Sequence, residues 1–293
     1  MGDRAEELIE RLRNGLLVCD GAMGTSLSAG GHSPGQSLEL LNVEQPALVL
    51  AAHRAFLEAG ADVIETNTFQ GSRPALARHG LGERTAELNA AGGALARQAA
   101  GDRAFVAGSI GPTGRILEPY GDFEEADARA AFEEEAQALA EAGVDFFIVE
   151  TFSAVEEITL AIAAAVATGL PVAASMAFDP NGRTAFGVAP ARAAQPLASA
   201  GAIVVGANCG TISPAEMVEI LKRFREATVL PLIAQPNAGR PQRSGDGVVY
   251  PEAPEGVARV APEFRDLGAT LIGGCCGTKA DHIRAIAQRL KAA

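Results

Sequence analysis

A chain of 293 residues, 48% of them hydrophobic, holds enough apolar side chains for one large α/β domain. Its formal net charge of -12 excludes nucleic acid and anionic membranes as main partners, because both call for basic patches. The charged, helically patterned start MGDRAEELIERLRNG is no signal peptide, so a cytoplasmic protein is expected.

After that first helix, short apolar runs alternate with helical patterns. The runs are LLVCDG from Leu16, ADVIETN from Ala61, FVAGSIG from Phe105, VDFFIVE from Val144, PVAASMAF from Pro171, AIVVGANC from Ala202, PLIAQPN from Pro231 and ATLIGGCC from Ala269. Near-continuous apolar runs of this kind are parallel strands buried on both faces. The stretch from Ile158 to Phe178 carries no charge and is long enough to span a membrane, but Gly169 and Pro171 interrupt it. It reads as a buried helix followed by a buried strand. Ser153 with Glu156, Ser213 with Glu216 and Thr278 with Asp281 have capping-box spacing. Behind Ser213 and Pro214, the residues Met217, Ile220, Leu221 and Phe224 form one apolar stripe. Eight strand–helix units predict a (β/α)8 TIM-type barrel, a single domain over residues 1–293 with an extra N-terminal helix. An open doubly wound sheet competes, but no G-x-G-x-x-G opens a helix after the first strand.

A weak repeat locates the site. Helices before the even-numbered strands end at Gly60, Gly143, Gly201 and Gly268. Seven positions on from each stand Asn67, Glu150, Asn208 and Cys275, and eight positions on stand Thr68, Thr151, Cys209 and Cys276. Alternate strands of a barrel contribute to a common layer, and their C-terminal ends carry the active site. Cys209 therefore meets Cys275 and Cys276 at the barrel mouth. Three thiolates with an open fourth position describe a catalytic Zn2+ site. Helix N-termini near Ser213 and Thr278 favour the thiolates. Cys19, inside the first strand, reads as a small buried residue. His32 in a loop, His53 and His79 in helical patterns and His282 in the last helix read as packing or surface residues. A barrel lyase or aldolase would present a lysine at a strand end, and the nearest, Lys279, reads as helical.

Seven segments in order, DGAMGT from Asp20, ETNTF from Glu65, GSIGPTG from Gly108, VET from Val149, GANCG from Gly206, QPNAG from Gln235 and GGCCGT from Gly273, resemble the homocysteine S-methyltransferase family. GPTGRILEPYGDF is more similar to the homocysteine module of cobalamin-dependent methionine synthase than to the betaine enzymes. The resemblance implies zinc on Cys209, Cys275 and Cys276, and homocysteine in the mouth. It implies that Asp20 and Glu150 hold the ammonium group, that backbone N–H groups of Gly21, Ala22 and Met23 face the carboxylate, and that Asn67 adds a polar contact. Asn237 of QPNAG is a candidate temporary metal ligand through its amide oxygen, with water as the alternative.

The implied reaction forms methionine. Zinc bound by three thiolates deprotonates the substrate thiol, and the surplus negative charge keeps its sulfur nucleophilic. The donor comes from outside the barrel. With no Trp and only Tyr120 and Tyr250, an aromatic cage for betaine is disfavoured. A methylcorrinoid on a separate protein or module is expected. The alternatives are a small sulfonium, S-methylmethionine or S-adenosylmethionine, another thiol or selenol acceptor, and a zinc- or thiol-binding protein without turnover.

Overall fold

The computed structural model describes residues 3–29, 35–245 and 247–291, so His32 lies outside the described residues. Eight parallel strands, β1 (Leu17–Val18), β2 (Val63–Glu65), β3 (Phe105–Ile110), β4 (Phe146–Phe152), β5 (Val172–Met176), β6 (Val204–Asn208), β7 (Leu232–Gln235) and β10 (Ala269–Ile272), form one sheet. Its order is β1-β10-β7-β6-β5-β4-β3-β2, and a parallel bridge between Cys19 and Val63 closes the ring. Each expected strand is present, and a helix follows each one, from Pro46–Glu58 after β1 to Ala280–Lys291 after β10. An unforeseen exposed hairpin, β8 (Gln242–Ser244) with β9 (Gly247–Val249), sits between β7 and the helix Pro254–Asp266. No described helix is long and apolar enough to cross a membrane. The uncharged stretch divides between the helix Val155–Ala167 and β5.

Strand alternation makes two cores. Leu17, Cys19, Val63, Phe105, Phe146, Ile148, Val204, Ile233 and Leu271 fill the barrel interior, with Cys19 fully buried among them. Their neighbours, such as Val18, Ile64, Val106, Phe147 and Ile272, pack outward against the helices. The N-terminal helix Asp3–Asn14 closes the bottom by adding Leu8 and Leu12 to the interior. Arg4 fixes it there. Its Nε donates to Asp145 Oδ1 at 2.8 Å, its Nη2 to Ala104 O at 2.8 Å, and it stacks over Phe105. Asp145 also pairs with Arg97 and accepts from Val106 N at 2.7 Å. Burial pushes the Asp145 carboxyl up, but these bonds outweigh it and hold the group below its usual range. A depressed carboxylate adds stability that is complete above its unfolded value and lost as pH falls through the folded one. Asp145→Asn is therefore expected to cost about 1 kcal/mol at neutral pH, after screening at the partly exposed arginines. Urea unfolding should show the difference from wild type shrinking in acid.

The capping expectations hold in one case of three. Ser213 forms the full box, donating from its N–H to Glu216 Oε2 at 2.8 Å and accepting from Glu216 N. At the helix Val155–Ala167 the cap position is Ala154, with no side-chain cap, so Ser153 lies one residue too early. Thr278 is spent elsewhere: its hydroxyl donates to Cys275 O at 2.6 Å and accepts from Ala22 N. The last helix starts at Ala280, and Lys279 N donates to His282 Nδ1 instead.

Candidate active site

A left-handed residue lies near the C-terminal end of each of β4 and β6: Thr151 at φ 66°, one residue before the end of β4, and Cys209 at φ 53°, directly after β6. Such backbone is uncommon outside glycine and an outlier for a β-branched residue, so the surroundings must impose it. Asn208 does so. Its Oδ1 accepts from Thr151 N and Ser175 Oγ, both at 2.9 Å. Its Nδ2 donates to Glu150 Oε2 at 2.8 Å and to Thr151 Oγ1 at 2.6 Å. The same Nδ2 lies 3.9 Å from Cys275 Sγ. The layer expected from the repeat thus exists for Glu150, Asn208 and Cys275. Asn67 turns its Nδ2 to Leu38 O and Asn42 Oδ1 and ties down the loop after β1.

Gly210 continues the turn at φ 73°, and a Cβ there would lie 2.2 Å from Phe178 O. Gly210→Ala is expected to cost about 1–2 kcal/mol through its backbone angle alone, and more through displacement of Cys209. Thermal melts and metal analysis should both register it, with metal affinity the more affected.

Cys209, Cys275 and Cys276 place their sulfurs within 4.8 Å of one another. The Cys209 and Cys276 sulfurs are 3.8 Å apart, the separation of about 3.8 Å that a tetrahedral ion with ~2.3 Å bonds imposes. All four cysteines are free thiols, and Cys19 stands apart from the cluster. Hydrogen bonds from the Cys209 and Cys275 thiols, then from Tyr250, hold the Cys276 thiol down at about 3. At Cys209 the bond with Cys275 pulls down, but Cys276, burial and the adjacent negative charge push it up to about 12. The Cys275 thiol is raised by its bonds to Cys209 and Cys276 and by burial. The three thiols titrate together as one cluster, their mutual hydrogen bonds favouring a thiolate on Cys276 and protonated Cys209 and Cys275, which a cation would deprotonate. These donors suit a soft or borderline metal ion.

One further atom fits. Asn237 Nδ2 donates to Gly210 O at 2.9 Å, while its Oδ1 is buried with no hydrogen-bond partner. Flanking it, Cys275 N donates to Pro236 O and Ala238 N to Cys276 O. The asparagine is thereby pinned against both arms of the thiol cluster.

Beside the sulfurs opens a cavity of ≈ 860 Å³. Its wall includes Asp20, Gly21, Ala22, Met23, Asn67, Glu150 and the three cysteines, so all the expected site residues except Asn237 share it. Two wall residues were missed, Glu65 and Gln235. Gln235 Nε2 hydrogen-bonds Glu65 Oε1, and Gln235 Oε1 is buried without a partner. The signal was in the alternation: Val63 and Ile233 point into the barrel, so Glu65 and Gln235, two residues on, do as well. Asp20, Glu65 and Glu150 all have raised carboxyl pKa values, with burial the largest cause; the Glu150 charge adds at Asp20 and Glu65, and the Cys276 charge adds at Glu150. Glu65 N donates to Asp20 Oδ2 at 3.0 Å, and Ser109 Oγ to Glu150 Oε1 at 2.7 Å. At the rim stand exposed Lys279 and His79. Lys279 lies just before the last helix rather than inside it.

A (β/α)8 barrel with three thiols gathered at its C-terminal mouth, beside buried carboxyls, has the form of a barrel enzyme whose thiols could hold a metal ion. The chain belongs to the homocysteine S-methyltransferase family, whose sequence model matches residues 17–290. It is 32% identical over 300 residues to a methionine synthase of Mycobacterium tuberculosis, covering 96% of this chain and 25% of that protein. It is 35% identical over 308 residues to betaine–homocysteine S-methyltransferase 1 of Bos taurus, covering 97% and 74%. The metallated homocysteine methyltransferase MmuM of Escherichia coli superposes with a TM-score of 0.81 at 26% identity, covering 98% of this chain and 100% of that one. The chain thus spans about a quarter of the methionine synthases it matches.

Proposed function

We propose that the chain, residues 1–293 as one homocysteine-binding barrel, transfers a methyl group to the thiol of homocysteine and yields methionine. The observation that carries this reading is the 3.8 Å sulfur spacing beside a cavity walled by buried carboxyls. Cys209, Cys275 and Cys276 would hold Zn2+, which would activate the substrate thiol at neutral pH. Asn237 Oδ1, buried without a hydrogen-bond partner, would be a further ligand for it while substrate is absent. The substrate thiol proton leaves to solvent, the S–CH3 bond forms, and the donor's leaving group departs with the electron pair of its bond to the methyl. Asp20 and Glu150 hold the substrate ammonium, with Glu65 and Gln235 Oε1 completing that end. The N–H groups of Gly21, Ala22 and Met23 take the carboxylate; in the free protein Ala22 N donates to Thr278, so that bond yields to substrate. Asn67 contributes its amide oxygen, its Nδ2 being committed to the loop.

The donor we propose is a methylcorrinoid carried by a separate protein or module. Identity does not separate the donors, at 32% against 35%. The wall weighs against betaine alone: Phe69 and Tyr250 are the only aromatic rings of the Phe, Tyr and Trp type among its described residues, too few to enclose a quaternary ammonium. A small sulfonium is the second reading, favoured by the end-to-end match to MmuM, itself a single barrel-length chain. Purified protein with zinc and homocysteine is to be given methylcobalamin, S-methylmethionine, S-adenosylmethionine and betaine in parallel, with methionine measured. Slow turnover with methylcobalamin and hardly any with the others is expected. Rapid turnover with S-methylmethionine alone moves the donor to the second reading. No methionine from any donor rejects methyl transfer and leaves a zinc- or thiol-binding protein.

A further inference from the structure

Behind the loop that carries Asn67 and Phe69, four buried polar atoms lack hydrogen-bond partners: both carboxyl oxygens of Glu135, Asn89 Oδ1 and Ser72 Oγ. Glu135 and Asn89 are 0% exposed and Ser72 is 1% exposed. Asn89 cannot be turned round, because its Nδ2 donates to Gly71 O and Thr85 O, both at 2.8 Å. Its Oδ1 is therefore an acceptor in need of a donor. Asn89 Oδ1 and Glu135 Oε1 both crowd the bare face of Gly71: a Cβ there would lie 2.2 Å from the first and 2.8 Å from the second. Ser72 is the next residue of the same loop.

Donor counting decides the state of Glu135. An ionised carboxylate only accepts, so it leaves Asn89 Oδ1 orphaned in a dry interior. A protonated carboxyl can donate one O–H to Asn89 Oδ1, which lies beside Glu135 Oε1 against the bare face of Gly71. The Ser72 hydroxyl bonds to neither group. The charges around Glu135 point the same way. Glu39, buried on the segment after β1, spends its oxygens on Gln70 N and Ser37 Oγ. Glu134 on Glu135's own helix is bound to Arg73, whose remaining charge goes to Glu83. Both carboxylates oppose a further negative charge, and burial, the larger effect, raises the Glu135 carboxyl well above its usual value.

We propose that Glu135 is a neutral carboxylic acid in the folded protein and a positioning residue, donating to Asn89, whose Nδ2 holds Gly71 O, so that the loop 66–72 stays in place as one wall of the substrate cavity. Thr66, Asn67, Thr68, Phe69 and Gln70 of that loop all face the cavity. The substitution Glu135→Gln keeps the bond, the new amide donating to Asn89 Oδ1, whereas Glu135→Ala leaves Asn89 Oδ1 without a donor. A raised acid contributes stability that falls as pH rises from its unfolded value, about 4.3, towards its folded one.

The test compares wild type with E135Q and E135A, and its first readouts do not depend on the methyl-transfer reading. Difference infrared spectra at neutral pH, wild type minus E135Q, should show the C=O stretch of one protonated carboxyl. E135Q should match wild type in thermal midpoint, keep homocysteine affinity within about twofold, and lose the decline of stability towards high pH. E135A should bind homocysteine at least about tenfold more weakly with zinc content unchanged. Should E135A not fold, the infrared band and the glutamine rescue decide alone. Absence of the band, destabilisation of E135Q comparable with E135A, or wild-type stability that depends on added potassium would overturn the proposal in favour of an ionised Glu135 beside a cation.

Discussion

Replacing Cys275 and Cys276 together with Ala is expected to abolish both zinc retention and methyl transfer while the barrel stays folded. The proposed ion would be held by three sulfurs from two strand ends, and one remaining thiolate would not retain it against solvent. The fold does not depend on it: the barrel interior and the strand–helix layer are both apolar and lie below the mouth, and a chain of this size is stabilised by its own core. Zinc per chain by elemental analysis, with circular dichroism on the same samples, checks both halves. Stoichiometric zinc in the double variant would remove these residues as ligands. Cys19→Ala is the matched control. It should keep its zinc and lose about 1 kcal/mol of stability, since it removes a fully buried sulfur from the interior.

The second large effect is at the substrate's ammonium end. Asp20→Asn and Glu150→Gln should each weaken homocysteine binding by about 10- to 100-fold, the loss of a charge-assisted hydrogen bond worth ~1.5–3 kcal/mol. The two variants should differ in kind. Asp20→Asn keeps an acceptor for Glu65 N, so affinity falls with zinc content and maximal rate little changed. Glu150→Gln also opposes its amide to Asn208 Nδ2 or Ser109 Oγ. Asn208 holds the turn that aims Cys209, so the maximal rate should fall too. Titration calorimetry and steady-state kinetics on the two variants separate these outcomes. Wild-type affinity in both would mean the ammonium lies elsewhere.

The barrel was legible because parallel strands buried on both faces write continuous apolar runs, and because four helix-ending glycines, all with positive φ, mark the even strands. Counting on from those glycines found Glu150, Cys209, Cys275 and Cys276. It passed over Glu65 and Gln235, which lie on the same inward faces at a different distance from the turn. Asn67 satisfied the count but spends its Nδ2 on a loop contact that no local pattern announces. Orphaned Asn237 Oδ1 and the Glu135 cluster became visible only once distant elements were packed together, since satisfaction of a hydrogen-bonding group is a property of its neighbours in space. The hairpin after β7 was hidden for the opposite reason: its six described strand residues are exposed, so no core writes its pattern.

Zinc-edge X-ray absorption on the protein with and without homocysteine tests the central claim most directly. Three sulfurs and one lighter ligand are expected in the free protein, from Cys209, Cys275, Cys276 and the Asn237 amide or water. Addition of homocysteine should raise the count to four sulfurs and remove the lighter ligand. A count that stays at three with homocysteine saturating would contradict activation of the substrate thiol on the metal.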